Sequence, residues 1–417
     1  MIDSAPAASL GENARAIAPP WPRAPLLLCA SSSRTGPVEG LIALGSFLRA
    51  RGIDARFAGD RVREGEDLPG HLERAGLPWA PGLRLSRKVR AVDLLRDAAT
   101  LTDWVREGAP DVLQATFSHD YLLALWATRR AGPARAQLRL VREAHRRVDL
   151  EPGRFGLRAR LLKKADGVIV RAQSYRRALL SQGFAPERVA AIPGGVDASL
   201  FTPGRTGAAW ALRRAWGVPD GAPLAGIVAR MKPERLHEKL LRAFAASSGR
   251  APHAHLVLIG RGEEEPALRA LAQALDPRRI HFGGYQRGPA LVEAYRALDV
   301  AVWLREGNDG ACRGVLEAMA CGLPLLVGDE GAPPELIGSA GDEDGPACGR
   351  VADPLDAASL SNALAGLLAD ESLRAALGAA ARARAERFTL ERSAAATLDF
   401  WRRLRALPPV EQRQSTL

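Results

Sequence analysis

Two carboxylates stand eight positions apart in the segment Asp309–Glu317, which follows an apolar run typical of a strand. We expect a helix to begin near Cys312 or Arg313, so that its free backbone N–H groups point at the loop before it and favour an anion there. Glu317 would lie about one turn into this helix, where a carboxylate suits two adjacent hydroxyls, such as those of a ribose. Asp309 could bind the hydroxyls of a second polar ring beyond the anion. By spacing alone, a surface loop with an N-capping Asp309 fits as well.

A second group of charged residues lies in the segment Gly226–Arg235, which ends one predicted strand and opens a helix. Arg230 and Arg235 are placed to bind a diphosphate where the strand ends, because a guanidinium can bind phosphate oxygens in a bidentate manner. Two isolated arginines in a solvated loop are the alternative interpretation of this segment.

The elements that would position these residues form two successive series of alternating strands and helices. The first series begins with a strand at Leu26–Ala30 and a helix at Val38–Arg51, and the second begins with a strand at Leu224–Val228. Such alternation predicts parallel sheets with helices on both faces. A single sheet of about a dozen strands would be strained. We therefore predict an α/β protein with two doubly wound domains, whose strands end at a shared cleft.

The composition is that of a soluble globular protein, with 47% hydrophobic and 25% charged residues in a chain of 417. No apolar run reaches the roughly 18–20 residues of a membrane-spanning helix, and the first twenty residues lack the pattern of a secretory signal. Residues 1–23 are rich in Ala and Pro and predict a loose arm. The four cysteines contain no Cys-x-x-Cys pair, which favours a reduced cytoplasmic chain over a disulfide framework.

The net charge of +11 is concentrated in one part of the chain. Fifteen Lys or Arg residues and four acidic residues lie between 129 and 177, so this basic segment carries +11 by itself. We expect it to contact an anionic membrane surface or a phosphorylated acceptor. We expect no nucleic-acid partner, since the chain has no helix-turn-helix, zinc or RNA-recognition motif.

Three segments, in order along the chain, resemble the carboxyl-half signature of retaining GT-B glycosyltransferases of the glycosyltransferase family 4 type. Ile192–Pro203 resembles the I-P-N-G-V-D…F-x-P turn of that family. Val228–Arg235 resembles its G-R-x-x-P-E-K-G phosphate segment, and Asp309–Glu317 resembles its E-x7-E element. The match covers about residues 185–400, whereas the amino half is similar mainly in its organisation.

The resemblance implies a GT-B fold, in which two Rossmann-like domains face each other across a cleft and the C-terminal helix returns to the N-terminal domain. It places an acceptor-binding domain at residues 1–195, completed by a helix at 389–417, and a nucleotide-sugar-binding domain at 196–388. It implies a hexosyltransferase-like enzyme that moves a sugar from a nucleotide-diphosphate sugar to a glycan or lipid-linked acceptor and retains the anomeric configuration.

The resemblance also assigns roles to residues at matching positions in the carboxyl half. Arg230 matches the arginine that binds the donor diphosphate, and Arg235 stands where the family has a phosphate-binding lysine. Glu317 matches the ribose-binding glutamate. Asp309 stands at the first glutamate of the pair, so it is expected to contact the donor sugar and to be catalytic. Backbone N–H groups that face the sugar and phosphate would come from Gly310, Ala311 and Cys312.

The amino half supplies four further candidates. His145 matches the strand-end histidine that faces the donor sugar in this family and is expected to be catalytic. His119 and Asp120 follow another predicted strand and are candidates for acceptor contact. The family places a glycine-rich loop near the phosphates and the acceptor at Ser31–Pro37, where Gly36 is the remaining glycine.

The expected chemistry needs no metal and no cofactor besides the nucleotide sugar, because Arg230, Arg235 and the helix amino end would stabilise the leaving diphosphate. We expect a bacterial protein of polysaccharide or lipopolysaccharide synthesis that lies in the cytoplasm, peripheral to the inner face of the cytoplasmic membrane. Two alternatives stay open: a sugar-nucleotide epimerase on a related two-domain fold, and a non-catalytic glycosyltransferase-like subunit.

Overall fold

The computed structural model describes residues 21–31, 36–60, 68–85, 91–144, 156–305, 312–339 and 345–410. The arm predicted at residues 1–23 therefore lies almost wholly outside the described residues. Within them, two six-stranded parallel sheets follow each other along the chain. Each sheet is covered by helices on its two faces, so its central strands are buried along almost their whole length, including the charged residues in the first sheet.

The first sheet has the strand order β2-β1-β3-β4-β5-β6. Its strands are β1 (Pro25–Cys29), β2 (Arg56–Gly59), β3 (Val112–Ala115), β4 (Arg139–Glu143), β5 (Gly167–Val170) and β6 (Val189–Ala191). Its helices are α1 (Gly36–Arg49), α2 (Leu68–Arg74), α3 (Ala91–Arg106), α4 (Ser118–Arg129), α5 (Gly156–Leu162) and α6 (Gln173–Ser181). The order along the sheet reverses between β1 and β3, which makes the ends of these two strands the switch point of this sheet.

The second sheet has the strand order β12-β11-β10-β7-β8-β9, the Rossmann arrangement. Its strands are β7 (Leu224–Val228), β8 (His255–Ile259), β9 (Ile280–Gly284), β10 (Val300–Trp303), β11 (Leu325–Gly328) and β12 (Gly349–Ala352). The helices that accompany it are α7 (Gly207–Ala215), α8 (His237–Ala246), α9 (Glu265–Leu275), α10 (Pro289–Arg296), α11 (Arg313–Ala320), α12 (Pro333–Leu336), α13 (Ala357–Ala369) and α14 (Glu371–Ala385). Its switch point lies between β7 and β10.

The last helix, α15 (Leu390–Ala406), packs against α1 on the first sheet. Trp401 of this helix is fully buried, and its indole N–H donates to Oε1 of Gln114 on β3 at 3.2 Å. The end of α15 is held by Arg139 of β4, whose guanidinium donates to the carbonyl oxygens of Leu404 at 2.9 Å and Leu407 at 2.7 Å. A cation that caps these last carbonyls stabilises the helix end.

The two chain segments that connect the domains run side by side. The backbone N–H of Val196 donates to the carbonyl of Phe388 at 2.8 Å, and the N–H of Leu390 donates back to Val196 at 3.2 Å. A Cβ at Gly195 would lie 2.5 Å from the Cα of Leu390, so only glycine permits this approach. The domain boundary at residue 195 itself stays a prediction.

The predicted fold class, two doubly wound domains, is confirmed by the two sheets. Three elements were not predicted: α2, α7 and β12. In α7 the buried face carries Arg213, which is 1% exposed, so the apolar period is interrupted. β12 is an edge strand whose two central residues are exposed, so it lacks an apolar run. Among the described residues, no helix is long and apolar enough to cross a membrane.

Candidate active site

The switch point of the second sheet joins the two segments that carry the predicted donor residues. Arg235 lies between β7 and α8 and is 8% exposed. Its Nη1 donates to the carbonyl of Arg305, just after β10, at 3.1 Å, and its guanidinium lies 4.9 Å from the ring centroid of Trp303. This arginine therefore links the β7–α8 connection to the β10–α11 connection. A guanidinium held in this way has a fixed position for an anion.

Arg230 lies five residues earlier and is exposed at the carboxyl edge of the sheet, the edge at which the strands end. Its neighbour Met231 is fully buried, and the Met231 N–H donates to the carbonyl of Arg261 at 3.1 Å. A Cβ at Gly260 would lie 2.0 Å from the carbonyl oxygen of Ala229, and one at Gly262 would lie 2.1 Å from that of Met231. These two glycines were not predicted as part of the site, although a Gly-x-Gly after a strand was a usable signal.

Both helices at this switch point begin after a residue in the left-handed conformation. Leu236 precedes α8 with φ of 59°, and Cys312 precedes α11 with φ of 46°. Such values are unusual for side chains other than glycine, and they persist only where the surroundings impose them. Leu236 stands where the G-R-x-x-P-E-K-G segment of the family has glycine, and it adopts a conformation that glycine enters freely.

Glu317 lies on α11 and is 4% exposed. Its Oε2 accepts a hydrogen bond from the Tyr295 hydroxyl at 2.9 Å, and its Oε1 accepts one from Nε of Arg313 at 2.7 Å. Burial, together with the nearby Glu317 carboxylate, raises the pKa of Tyr295 well above its usual value, so the phenol stays a hydrogen-bond donor. Tyr295 was not predicted. The Arg313 side chain is 34% exposed, whereas Glu317 and Tyr295 are buried.

Four predicted site residues lie outside the described residues: His145, Asp309, Gly310 and Ala311. Of the backbone donors predicted in that loop, Cys312 is described, fully buried at the start of α11. The roles given to Asp309, Gly310, Ala311 and His145 stay predictions.

Two buried polar side chains near Arg235 have no hydrogen-bond partner among the described residues. Both ring nitrogens of His237 and Nε1 of Trp303 are without one. Burial, and then the positive charge of Arg235, lowers the pKa of His237 to about 4, so its imidazole is neutral at pH 7. Unused hydrogen-bonding capacity of this kind costs stability, and in native proteins it concentrates at functional sites.

A cavity of about 140 Å³ opens between the domains. Gly36 at the start of α1, Gln114 on β3, Val196 in the connection, Arg313 on α11 and Thr397 on α15 are among its lining residues. Gly36, a predicted acceptor contact, thus lies on the cavity wall, facing the same space as the arginine that binds Glu317.

The prediction of acceptor contact for Asp120 needs correction. Its carboxylate is completely buried and accepts hydrogen bonds from the N–H groups of Ala30 at 3.0 Å and Phe117 at 3.0 Å. Desolvation raises its pKa, and these bonds oppose that rise. Asp120 therefore ties the end of β1 to the start of α4. Its neighbour His119 is partly exposed on α4, and its acceptor role stays a prediction.

Several arginines of the basic segment 129–177 are largely buried and so contribute little to a charged surface. Arg139 and Arg142 are 2% and 5% exposed, and Arg142 donates to the carbonyls of Ala115 and Thr116. Arg171 pairs with Glu143. Of the basic residues in this segment whose burial is described, those exposed are Arg130, Arg160, Lys163 and Arg177. Much of the excess charge thus serves internal hydrogen bonding.

The described residues contain no group of three or more His, Cys, Asp or Glu side chains arranged to bind a metal ion. The site as described consists of arginines, one buried glutamate and helix amino ends. These groups are suited to bind a diphosphate and adjacent hydroxyls.

Two family models match the chain, one in each half. The model described as Glycosyltransferase Family 4 matches residues 36–200, and the model described as Glycosyl transferases group 1 matches residues 209–384. The chain therefore belongs to the GT-B glycosyltransferases of the family 4 type.

Curated relatives are similar over part of their length. A GDP-mannose-dependent monoacylated alpha-(1-6)-phosphatidylinositol monomannoside mannosyltransferase of Corynebacterium glutamicum is 31% identical over 201 residues, 47% of this chain and 51% of that protein. A D-inositol 3-phosphate glycosyltransferase of Saccharomonospora viridis is 34% identical over 228 residues, 52% of this chain and 51% of that protein. The chain thus spans about half the length of the curated relatives it matches.

A solved structure is similar over nearly the whole chain. The Anabaena HepE protein in complex with UDP has a TM-score of 0.74 and 21% identity, over 91% of this chain and 99% of that one. At this level of identity the likeness shows the fold, which is GT-B in both proteins.

Proposed function

We propose that the protein is a retaining glycosyltransferase that moves a hexose from a nucleotide-diphosphate sugar to a glycan or lipid-linked acceptor. One observation carries the proposal: Arg235 joins the β7–α8 and β10–α11 connections at the switch point through its bond to the Arg305 carbonyl. In an open α/β sheet this is the place where nucleotides bind. Glu317 lies on the helix that follows the same connection and carries a carboxylate for the ribose.

In the proposed reaction, the bond between the anomeric carbon and the diphosphate oxygen breaks while the acceptor oxygen bonds to the anomeric carbon on the same face. The acceptor proton passes to the leaving diphosphate. Arg230 and Arg235, with the amino end of α11, stabilise the charge that develops on the diphosphate, so no metal is required. Domain closure about the paired connections at Val196 and Leu390 would exclude water from the site.

GDP-mannose is the first donor to test. The Corynebacterium relative is named as GDP-mannose-dependent, whereas the Anabaena structure contains UDP. The proposed acceptor is a growing bacterial polysaccharide or lipopolysaccharide, presented at the inner face of the cytoplasmic membrane. The basic segment 129–177 would contribute its exposed residues to that membrane surface.

Nucleotide binding is tested by thermal unfolding with GDP, UDP, ADP and CMP. A ligand that binds the folded state stabilises it by about 2.7 kcal/mol at a concentration 100 times its Kd, so the matching nucleotide raises Tm. Failure of all four to raise Tm would count against the donor site.

Turnover is tested with the matching nucleotide sugar and a glycan acceptor in the presence of EDTA. We expect transfer in wild type and a reduction of roughly 10²–10³-fold in Arg230→Ala and in Glu317→Ala. Arg242→Ala is the matched control, because Arg242 is exposed on α8 and pairs with Glu238. Full activity in both site variants would overturn the assignment. Conversion of the donor without acceptor would indicate an epimerase, and binding without turnover a non-catalytic subunit.

A further inference from the structure

Helix α4 presents an outer face that is apolar and basic. Leu122 is 49% exposed and Trp126 is 45% exposed, one turn apart on this face. The guanidinium of Arg130, at the end of the helix, lies 3.6 Å from the Trp126 ring centroid. The single acid of α4, Asp120, is completely buried. The solvent face of this helix therefore carries no negative charge.

The neighbouring helix α3 extends this face. Val92 is 77% exposed and Leu95 is 64% exposed, and Arg96 beside them is exposed as well. The acids of these two turns are engaged elsewhere: Asp93 pairs with Arg84, and the buried Asp97 accepts hydrogen bonds from the backbone of residues 84 and 85. The first turns of α3 thus expose apolar and basic side chains, as α4 does.

The two helices lie side by side and point the same way. They pack against each other, and Nε of Arg106 at the end of α3 donates to the carbonyl of Arg130 at the end of α4 at 3.0 Å. With their ends aligned, both helices begin toward the same edge of the sheet, and α3, with 16 residues against 12, begins about one turn earlier. Because α4 follows β3 directly, their first turns lie at the carboxyl edge of the first sheet, where its switch point lies.

We propose that this α3–α4 surface docks the protein on an anionic lipid bilayer. Its members are Val92, Leu95, Arg96, Leu122, Trp126 and Arg130. Exposed aliphatic and indole groups enter the boundary between headgroups and acyl chains, and arginines beside them attract anionic headgroups. The first turns of α3 and the whole of α4 expose no acid. Asp103, exposed further along α3, lies 3.9 Å from Arg106, so that arginine offsets its charge. A lipid-linked acceptor would then meet the protein at the edge of its first domain.

The test measures sedimentation of the full chain with phosphatidylcholine vesicles that contain phosphatidylglycerol, against phosphatidylcholine vesicles alone. Wild type should bind the anionic vesicles, more weakly as salt is raised. Leu122→Ser/Trp126→Ser should lower the partition coefficient by roughly tenfold or more, since two large apolar groups no longer enter the bilayer. Arg96→Glu/Arg130→Glu should lower it on the anionic vesicles in particular.

Two controls make the result specific. Leu355→Ser removes an apolar side chain of the second domain that is 61% exposed, and it should leave vesicle binding unchanged. Arg160→Glu/Arg177→Glu reverses exposed charges of the basic segment, and it should reduce binding less than the change at Arg96 and Arg130. A larger loss in this control would place the contact around Arg160 and Arg177 instead and overturn the proposal.

Two other results would overturn it: unchanged vesicle binding in Leu122→Ser/Trp126→Ser, or a wild-type dimer in light scattering that this variant converts to a monomer. The proposal rests on the proposed function only for its lipid-linked acceptor. Tm shifts with nucleotide, measured on the same variants, separate the two, because loss of vesicle binding with an intact nucleotide shift leaves the donor site unaffected.

Discussion

The carboxyl edges of the two sheets each hold a switch point, but the sheets differ in strand order and the two edges differ in chemistry. In the first domain, the switch point is closed by Asp120, whose buried carboxylate satisfies the backbone N–H groups of Ala30 and Phe117. In the second domain, the switch point leaves polar atoms of His237 and Trp303 without partners among the described residues. Oγ1 of Thr116 at the first edge also lacks a partner among the described residues. The two edges differ in that a buried carboxylate ties the first together, whereas the second places an unpartnered imidazole and indole beside Arg235.

This difference separates what supports a site from what binds a ligand. A carboxylate that accepts backbone bonds fixes a loop, and its loss is felt as lost stability. A buried imidazole and indole beside an arginine cost stability in the free protein and are compensated when a polar ligand arrives. The four predictions below test this contrast, beginning with the largest expected effect.

Replacing Asp120 with Ala should destabilise the fold by about 2–4 kcal/mol, because two buried N–H groups lose their acceptor. Asp120→Asn, which keeps one acceptor oxygen, should cost less. Urea unfolding measures both variants. The nucleotide-induced Tm shift of the surviving folded protein should be unchanged, and a large loss of nucleotide affinity with normal stability would reverse the contrast between the two edges.

Replacing Arg230 with Ala should have the opposite profile. Since Arg230 is exposed, unfolding in urea should change by less than about 0.5 kcal/mol. Nucleoside diphosphate affinity should fall roughly tenfold or more, because a charge-assisted contact is lost. Calorimetric titration measures the affinity, with Arg242→Ala as the control that leaves it unchanged. Equal affinity in the two variants would remove Arg230 from the site.

Position 236 tests whether the left-handed turn before α8 is genuine. Leu236→Val should lower the free energy of unfolding by about 1–2 kcal/mol, because a β-branched residue is strained at positive φ. Leu236→Gly should cost less, since glycine adopts this conformation freely although it loses some packing. Thermal unfolding compares the two. Equal Tm values for Val and Gly would show that the residue is not left-handed in solution.

The stacked pair His255 and His281 should make stability depend on pH. Burial lowers both pKa values, that of His255 to about 4, and Nδ1 of His255 lies 2.9 Å from Nε2 of His281. As pH falls below about 6.5, these histidines bind protons in the unfolded chain before they do so in the folded protein. The free energy of unfolding is therefore highest above about pH 6.5 and decreases as pH falls toward 4. Urea unfolding at several pH values should show a shallower loss in His255→Gln/His281→Gln.

The matched control for the histidine pair is His253→Gln, since His253 is exposed two residues away. It should retain the wild-type slope. Some slope should persist in the double variant as well, because His237 also has its pKa lowered to about 4 by burial. An unchanged slope in the double variant would contradict the neutral buried pair.

Much of the fold could be predicted because its signals are local. β7 has the same bounds, Leu224–Val228, in the prediction and in the structure, since a continuous apolar run defines a buried strand. Helix α7 was missed because Arg213 lies on its buried face. That arginine donates to the carbonyl of Ala297 at 2.7 Å and pairs with Asp299 at 3.0 Å, both more than eighty residues away.

Residue type and spacing along the family motifs predicted Arg230, Arg235 and Glu317 as site residues, and their roles stay predictions. Contacts that depend on distant parts of the chain were not predictable. Tyr295 gave no signal, because its hydroxyl meets Glu317 only after α10 and α11 pack together. By its position after a predicted strand, Asp120 was expected to be exposed. The structure shows that its carboxylate is buried and accepts a hydrogen bond from the backbone at the end of β1.

The sequence by itself determined the order of strands and helices, the two doubly wound domains and the family to which the chain belongs. The tertiary structure decided which charged side chains are exposed to solvent and which are buried in internal hydrogen bonds. Arg139 and Arg142 both contribute to the net charge of +11. Their guanidinium groups are nevertheless buried, and they donate hydrogen bonds to carbonyl oxygens of other helices and strands. The physical reason is that a charge is exposed or buried according to partners distant in sequence. Periodicity records only which face of an element is apolar.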